Sequence, residues 1–176
     1  MTFEEKTVSS ESIYKGAILN LRRDKVTVSG GGYSYREIVE HNGGAVAVAL
    51  TDDGNVVLVK QFRKPMEKVV TELPAGKIEK GEDPLETMKR ELKEETGYTA
   101  SHLKLMAEFN PSVGYTNETL YIYLATGLVP GKPQPDEHEA LEIKEIPLDD
   151  AIQMVVNGEI TDGKTMTGLL LTKYFL

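Results

Sequence analysis

The chain has 176 residues, enough for one ordinary domain with a small appendage, and its 40% hydrophobic content can supply a buried core. With 28 acids against 20 bases the net charge is -8, which argues against a nucleic-acid backbone or an anionic membrane as the main partner. There is no cysteine, so disulfides, thiolate zinc sites and thiol nucleophiles are excluded.

The first ten residues, MTFEEKTVSS, carry no apolar run, so no secretory signal is expected. The longest apolar stretch, AVAVAL at 45–50, is too short to span a bilayer, and a cytoplasmic location is the expectation. The first forty residues read as strands. ILNLRRDKVTV and YSYREIVEH flank SGGG at 29–32, the pattern of an antiparallel hairpin with a glycine loop. A glycine run cradles phosphate where it opens a helix, and here β-like sequence follows it.

AVAVAL and NVVLVKQF (55–62), joined by TDDG, predict a second hairpin whose unbroken hydrophobicity implies cover on both faces. KVVTELPAG predicts a short strand ending at Pro74. A helix follows, with Asp83 as N-cap, Pro84 in the first position, Glu86 three residues after the cap and Gly97 at the stop. Leu85, Met88 and Leu92 form its apolar stripe.

HLKLMAEF and TLYIYLATGL are two more predicted strands, separated by the polar loop NPSVGYTNE. The acidic, Pro-rich GKPQPDEHE leads into a strand at ALEIKEIPL. DDAIQMVVNGEI predicts an amphipathic helix capped by Asp149 or Asp150 and stopped by Gly158, and a last helix is expected over 164–174. The one boundary the sequence suggests lies near residue 42, dividing an N-terminal β region (1–42) from the rest (43–176).

The segment GKIEKGEDPLETMKRELKEETGY (76–98) sets Glu91, Glu94 and Glu95 on one flank of the predicted helix. Like charges at that spacing repel mildly. All-oxygen ligands of this kind suit a hard cation, Mg²⁺ or Mn²⁺ rather than zinc, and so point to phosphoryl chemistry. Taken alone, the cluster also fits a solvated helix laced with Lys89, Arg90 and Lys93 pairs.

Gly76, Glu82, Arg90-Glu91-Leu92, Glu94-Glu95 and Gly97-Tyr98 fill, at the right spacing, every fixed position of the Nudix box, which the segment therefore resembles; Tyr98 is an unusual final residue. The resemblance implies an α/β (α+β) fold, a mixed β-sheet sandwiched between helices, here with an N-terminal antiparallel β-hairpin region. It also implies Mg²⁺-dependent hydrolysis of a nucleoside diphosphate linked to another moiety. Glu91 and Glu95 would be the main metal ligands, Glu94 would contribute directly or as a base, and the Ala75 carbonyl would add a further ligand. Arg90 would hold a neighbouring glutamate, and Glu82 would support the site from the loop.

Beyond the box, REIVEH, GAVAV, VKQFRKP, ELPAGKIEKGEDP and DEHEALEI resemble the ADP-ribose pyrophosphatase subfamily. That resemblance implies a homodimer with exchanged N-terminal strands and the products AMP and ribose 5-phosphate. Arg63 would contact the substrate phosphates, with a strand-end surface role as the alternative. Arg36 and Glu37 would approach the adenosine half, unless they form a hairpin ion pair. Glu137 and Glu139 would activate water or bind metal, leaving the general base among Glu94, Glu137 and Glu139, with the last two preferred. His41 and His138 would be incidental.

Ser112, Gly114 and Glu118 align with a subfamily substrate loop in which Val113 stands where proline is usual. The alternatives are a hydrolase of another nucleotide sugar, such as GDP-mannose, and a non-catalytic nucleotide-sugar sensor.

Overall fold

A computed structural model describes residues 3–134 and 140–176; Glu137, His138 and Glu139 lie outside the described residues. The chain divides into two compact units, Met1–Gly43 with Asn110–Thr119, and Gly44–Phe109 with Leu120–Leu176.

In the first unit β1 (Thr7–Lys15), β2 (Asn20–Thr27) and β3 (Tyr33–Glu40) form an antiparallel three-stranded sheet in sequence order. The β2–β3 pair is the hairpin expected around the glycine loop. β1, TVSSESIYK, is exposed along its whole length. Its register is tied by cross-strand chemistry, such as Arg23 donating to Glu11 directly opposite at 2.7 Å. The loop 110–119 joins this unit through the end of β3. The Val39 N–H donates to the Tyr115 carbonyl at 2.8 Å, and the His41 N–H donates to the Asn117 side-chain oxygen at 2.9 Å.

In the second unit one sheet runs β7 (Ala75–Lys77), β4 (Gly44–Ala49), β9 (Leu120–Val129), β8 (Thr99–Phe109), with β4 and β9 parallel and the other pairs antiparallel. A second, antiparallel sheet runs β10 (Glu142–Pro147), β5 (Asn55–Arg63), β6 (Lys68–Glu72). The alternation of β4 decides what covers the mixed sheet. Ala45, Ala47 and Ala49 pack with Met88 and Leu92 of α1 (Pro84–Thr96). Val46 and Val48 pack with Ala151, Ile152 and Val155 of α2 (Leu148–Val156) and with Leu169 of α3 (Gly163–Thr172). All six residues of β4 are buried, so helices cover the sheet on both faces, as the fold class requires. No helix among the described residues is long and apolar enough to cross a membrane.

Two expectations need correction. The TDDG turn forms, with the Thr51 N–H donating to the Asn55 carbonyl at 2.9 Å, but the flanking strands enter different sheets and share only the Leu50–Val56 bridge. A strand buried on both faces satisfies its backbone with central partners, and β4 finds these in β9 and β7 rather than in its sequence neighbour. The start of α2 also differs. Pro147 occupies the cap position with no side-chain hydrogen bond, and Asp149 and Asp150 sit inside the first turn, where their charge complements the helix dipole. The last helix begins at Gly163, because the Asp162 side chain accepts from the Thr165 N–H at 3.0 Å.

Candidate active site

The site grows from the ends of α1. Asp83 accepts from the Leu85 N–H at 2.8 Å, Pro84 takes the first helical position, and Glu86 pairs with Lys89 instead of closing a capping box. Gly97 adopts φ 79, the left-handed conformation glycine allows, and its N–H donates to the Lys93 carbonyl. Tyr98 just beyond donates its hydroxyl to Glu145 of β10 at 2.6 Å, so the unusual last residue of the box ties the helix end to the second sheet.

On the exposed flank of α1, Arg90 is the hub. Its Nε and Nη2 donate to the two carboxylate oxygens of Glu82 at 3.1 and 3.3 Å, and its Nη1 donates to Glu91 at 2.6 Å and Glu94 at 3.0 Å. The Arg90 fork pushes the Glu82 carboxyl down to about 2, helped by the Glu79 N–H that donates to it at 3.0 Å. In return, chiefly through Glu82, the guanidinium is held charged more firmly than usual.

Glu95, on the buried side, is 4% exposed and accepts from the Ala75 N–H at 3.0 Å, which fixes the start of β7 against the helix. Gly76 follows, and the Glu91 side chain lies across it: a Cβ there would stand 1.8 Å from the Glu91 carboxyl carbon. The box glycine is therefore required by close approach.

Whether these residues suit a divalent cation can be judged from the donors. Every candidate is a hard oxygen, and the cradle at Gly76 holds one carboxylate against the strand that carries the Ala75 carbonyl. The donor chemistry fits. As placed, the Glu91 and Glu94 carboxylates turn toward Arg90, and no group of three acids or histidines among the described residues is arranged to hold a metal ion.

Arg63, at the end of β5, does not sit as a free surface arginine. Its Nε and Nη2 fork onto Glu72 at 2.7 and 2.8 Å, and Glu72 is 2% exposed. Lys164 of α3 also donates to Glu72 and, at 3.0 Å, to Asp162. Burial pushes the Glu72 carboxyl up, but the Arg63 and Lys164 cations outweigh it and hold it ionised. Sequence reasoning missed Glu72 and Lys164. The one available signal was the glutamate that closes the short strand KVVTE just before the box.

The remaining expected site residues lie in the first unit. Arg36 forks onto Glu5 and donates to the Tyr35 carbonyl, so its ion pair is not with Glu37. Glu37 lies opposite Arg23, on the other face of β3 from Arg36. In the loop, the Ser112 carbonyl accepts from the Tyr115 and Thr116 N–H groups at 3.3 and 3.2 Å, and Gly114 has open space about it. Glu118 places its carboxylate 3.3 Å from Nδ1 of His41. His41 thus borders the loop closely, an association that composition did not signal.

The NUDIX domain matches residues 41–167, most of the chain. The chain belongs to the Nudix hydrolase family. The nucleoside diphosphate sugar hydrolase N-terminal domain matches residues 5–39, the stretch that holds β1, β2 and all of β3 but its last residue, Glu40. The ADP-ribose pyrophosphatase of Bacillus subtilis (strain 168) is 43% identical over 166 residues, covering 93% of this chain and 90% of that protein. A methanol dehydrogenase activator of Bacillus methanolicus is 42% identical with the same coverage. The crystal structure of an ADP compounds hydrolase matches the fold with a TM-score of 0.86 at 21% identity, covering 98% of this chain and 94% of that one. Nudix hydrolases use a divalent metal, in accord with the oxygen donors gathered here.

Proposed function

We propose that the protein hydrolyses the diphosphate of ADP-ribose to AMP and ribose 5-phosphate, with Mg²⁺ as its metal. The observation that carries this is the cluster around Arg90, where three carboxylates are gathered beside a strand that only glycine at position 76 allows Glu91 to touch. The relative known as an ADP-ribose pyrophosphatase supports the choice of substrate.

Glu91, Glu95, Glu94 and the Ala75 carbonyl would hold the metal, with Glu82 in support. When bound, the metal offsets the charge of the diphosphate and polarises its P–O bonds. Arg90 keeps the carboxylates oriented. Arg63 binds a substrate phosphate, Arg36 and Glu37 serve the adenosine half, and Ser112, Gly114 and Glu118 belong to a substrate-binding loop. Water attacks one phosphorus and gives its proton to a carboxylate, Glu137 or Glu139 ahead of Glu94, and the other phosphate leaves.

Incubating the protein with Mg²⁺ or Mn²⁺ and a panel of ADP-ribose, GDP-mannose, UDP-glucose and diadenosine polyphosphates, with products separated by chromatography, tests this. AMP and ribose 5-phosphate should appear fastest from ADP-ribose. Faster turnover of GDP-mannose would move the substrate and direct attention to the loop at Val113. Binding of ADP-ribose with no turnover of any compound would mean a sensor.

The same proposal includes a homodimer in which the 1–42 region is exchanged, and a cytoplasmic location. Support for the dimer comes from β1, which leaves Val8, Ile13 and Tyr14 about half exposed at 52%, 48% and 57%. Light scattering should return twice the chain mass; a monomer at micromolar concentration overturns the exchange. Recovery of the native protein with membranes or in the medium would count against the location.

A further inference from the structure

Arg63 closes a strand, a place where a long side chain ordinarily sweeps through many rotamers. Here it is held. Glu72 takes its Nε and Nη2 edge in a two-bond fork at 2.7 and 2.8 Å, and Nη1 takes no part in that fork. Glu72 is held in turn by Lys164, whose ammonium also reaches Asp162, the cap of α3, at 3.0 Å. The chain of contacts therefore runs from a helix N-terminus to Arg63.

An ion pair on a buried carboxylate is weak evidence for stability, because desolvation offsets much of its attraction, and in some proteins such pairs specify geometry instead. Segment 72–75 carries two fixtures at once. The Leu73 N–H donates to the Thr165 hydroxyl at 2.8 Å, and three residues after Glu72 the Ala75 N–H meets Glu95. The anchor of Arg63 and the carbonyl proposed to face the metal are thus set by one short piece of backbone.

We propose that Glu72 is a positioning residue for the substrate diphosphate, fixing Arg63 by one edge so that Nη1 meets a phosphate oxygen in a preset orientation. The inference rests on the reading of Arg63 as a phosphate contact. Glu72 does not touch substrate; it spares the ordering of Arg63 that binding would otherwise require.

The test is a double-mutant cycle of Glu72→Gln and Arg63→Ala, read as KM and kcat with metal and ADP-ribose, alongside melting temperature. Glu72→Gln should raise KM about tenfold and change kcat far less. In the Arg63→Ala background it should add less than about a twofold rise, since its route of action is gone. An unchanged KM, or an equal rise in both backgrounds, overturns the proposal. Should Glu72→Gln fail to fold, Glu72→Asp keeps the charge and withdraws the carboxylate by one methylene; its smaller KM rise must likewise vanish without Arg63. A wild-type protein that prefers another nucleotide sugar overturns the substrate assignment alone, and the cycle is then run on that substrate. For a protein that binds without turnover, the dissociation constant of the nucleotide sugar replaces KM.

Discussion

Gly76→Ala is expected to lower kcat at least about 100-fold while leaving the protein folded. A methyl at this position would lie 1.8 Å from Cδ, 1.9 Å from Oε1 and 2.3 Å from Cγ of Glu91. No small adjustment relieves three such contacts, so the whole carboxylate must swing away, and its 2.6 Å bond from Arg90 goes with it. The backbone does not oppose alanine, since Gly76 is not among the residues with positive φ. What moves is the far end of a flexible side chain, which keeps the cost to folding low. Melting curves separate the two effects. The variant should unfold within a few degrees of wild type without metal and lose most of the stabilisation that added Mg²⁺ gives wild type. Near-normal kcat in Gly76→Ala would mean that the Glu91 carboxylate is not needed where it lies.

That glycine was legible as part of a spaced motif, while its physical reason was not. The same division recurs across the molecule. α1 could be read from its ends and stripe because Asp83, Pro84 and Gly97 act on their own backbone, and because Met88 and Leu92 recur at helical spacing. β1 was covered only by the broad reading of the first forty residues as strands, with no run of its own to mark its bounds, since TVSSESIYK is polar and held by cross-strand pairs such as Glu11 with Arg23. Hydrophobic runs showed that β4 and β5 are buried but not which strands lie beside them. Periodicity reports the buried face, whereas neighbours are chosen by tertiary contacts between distant segments.

The least legible part of the site is the one assembled over the longest separation. Glu72 and Lys164 are 92 residues apart, and neither has a local signal that couples it to Arg63. His41 shows the same limit. Its contact with Glu118 depends on the 110–119 loop joining the N-terminal unit, which no composition shift announced. Arg90 stood out as part of the box, yet its grip on three carboxylates at once depends on the loop that brings Glu82 beside the helix.

Arg90 carries the second large effect. Arg90→Ala should lower kcat about 100-fold or more, and Arg90→Lys should recover little of it. The guanidinium makes four donor contacts in one plane, two to Glu82 and one each to Glu91 and Glu94. A lysine ammonium carries the same charge but cannot fork Glu82 while also reaching the other two. If charge alone mattered, Arg90→Lys would behave as wild type, and the orienting role would be overturned.

Apparent metal affinity gives an independent check. Removing a cation from among the carboxylates should leave the half-saturating Mg²⁺ concentration unchanged or lower, even as kcat collapses. A kcat loss that excess metal fully restores would instead mean that Arg90 acts on metal binding. Acid sensitivity supplies the remaining distinction. Glu82 has its carboxyl pushed down to about 2 from a usual 4.5, so its contribution to stability is present above the usual value and lost as pH falls through the depressed one. Arg90→Ala forfeits that contribution at neutral pH. The stability gap between wild type and variant, measured by urea unfolding, should therefore be constant from pH 7 down to about 5 and close on further acidification. A gap that widened in acid would place the origin of the effect elsewhere than the Arg90–Glu82 fork.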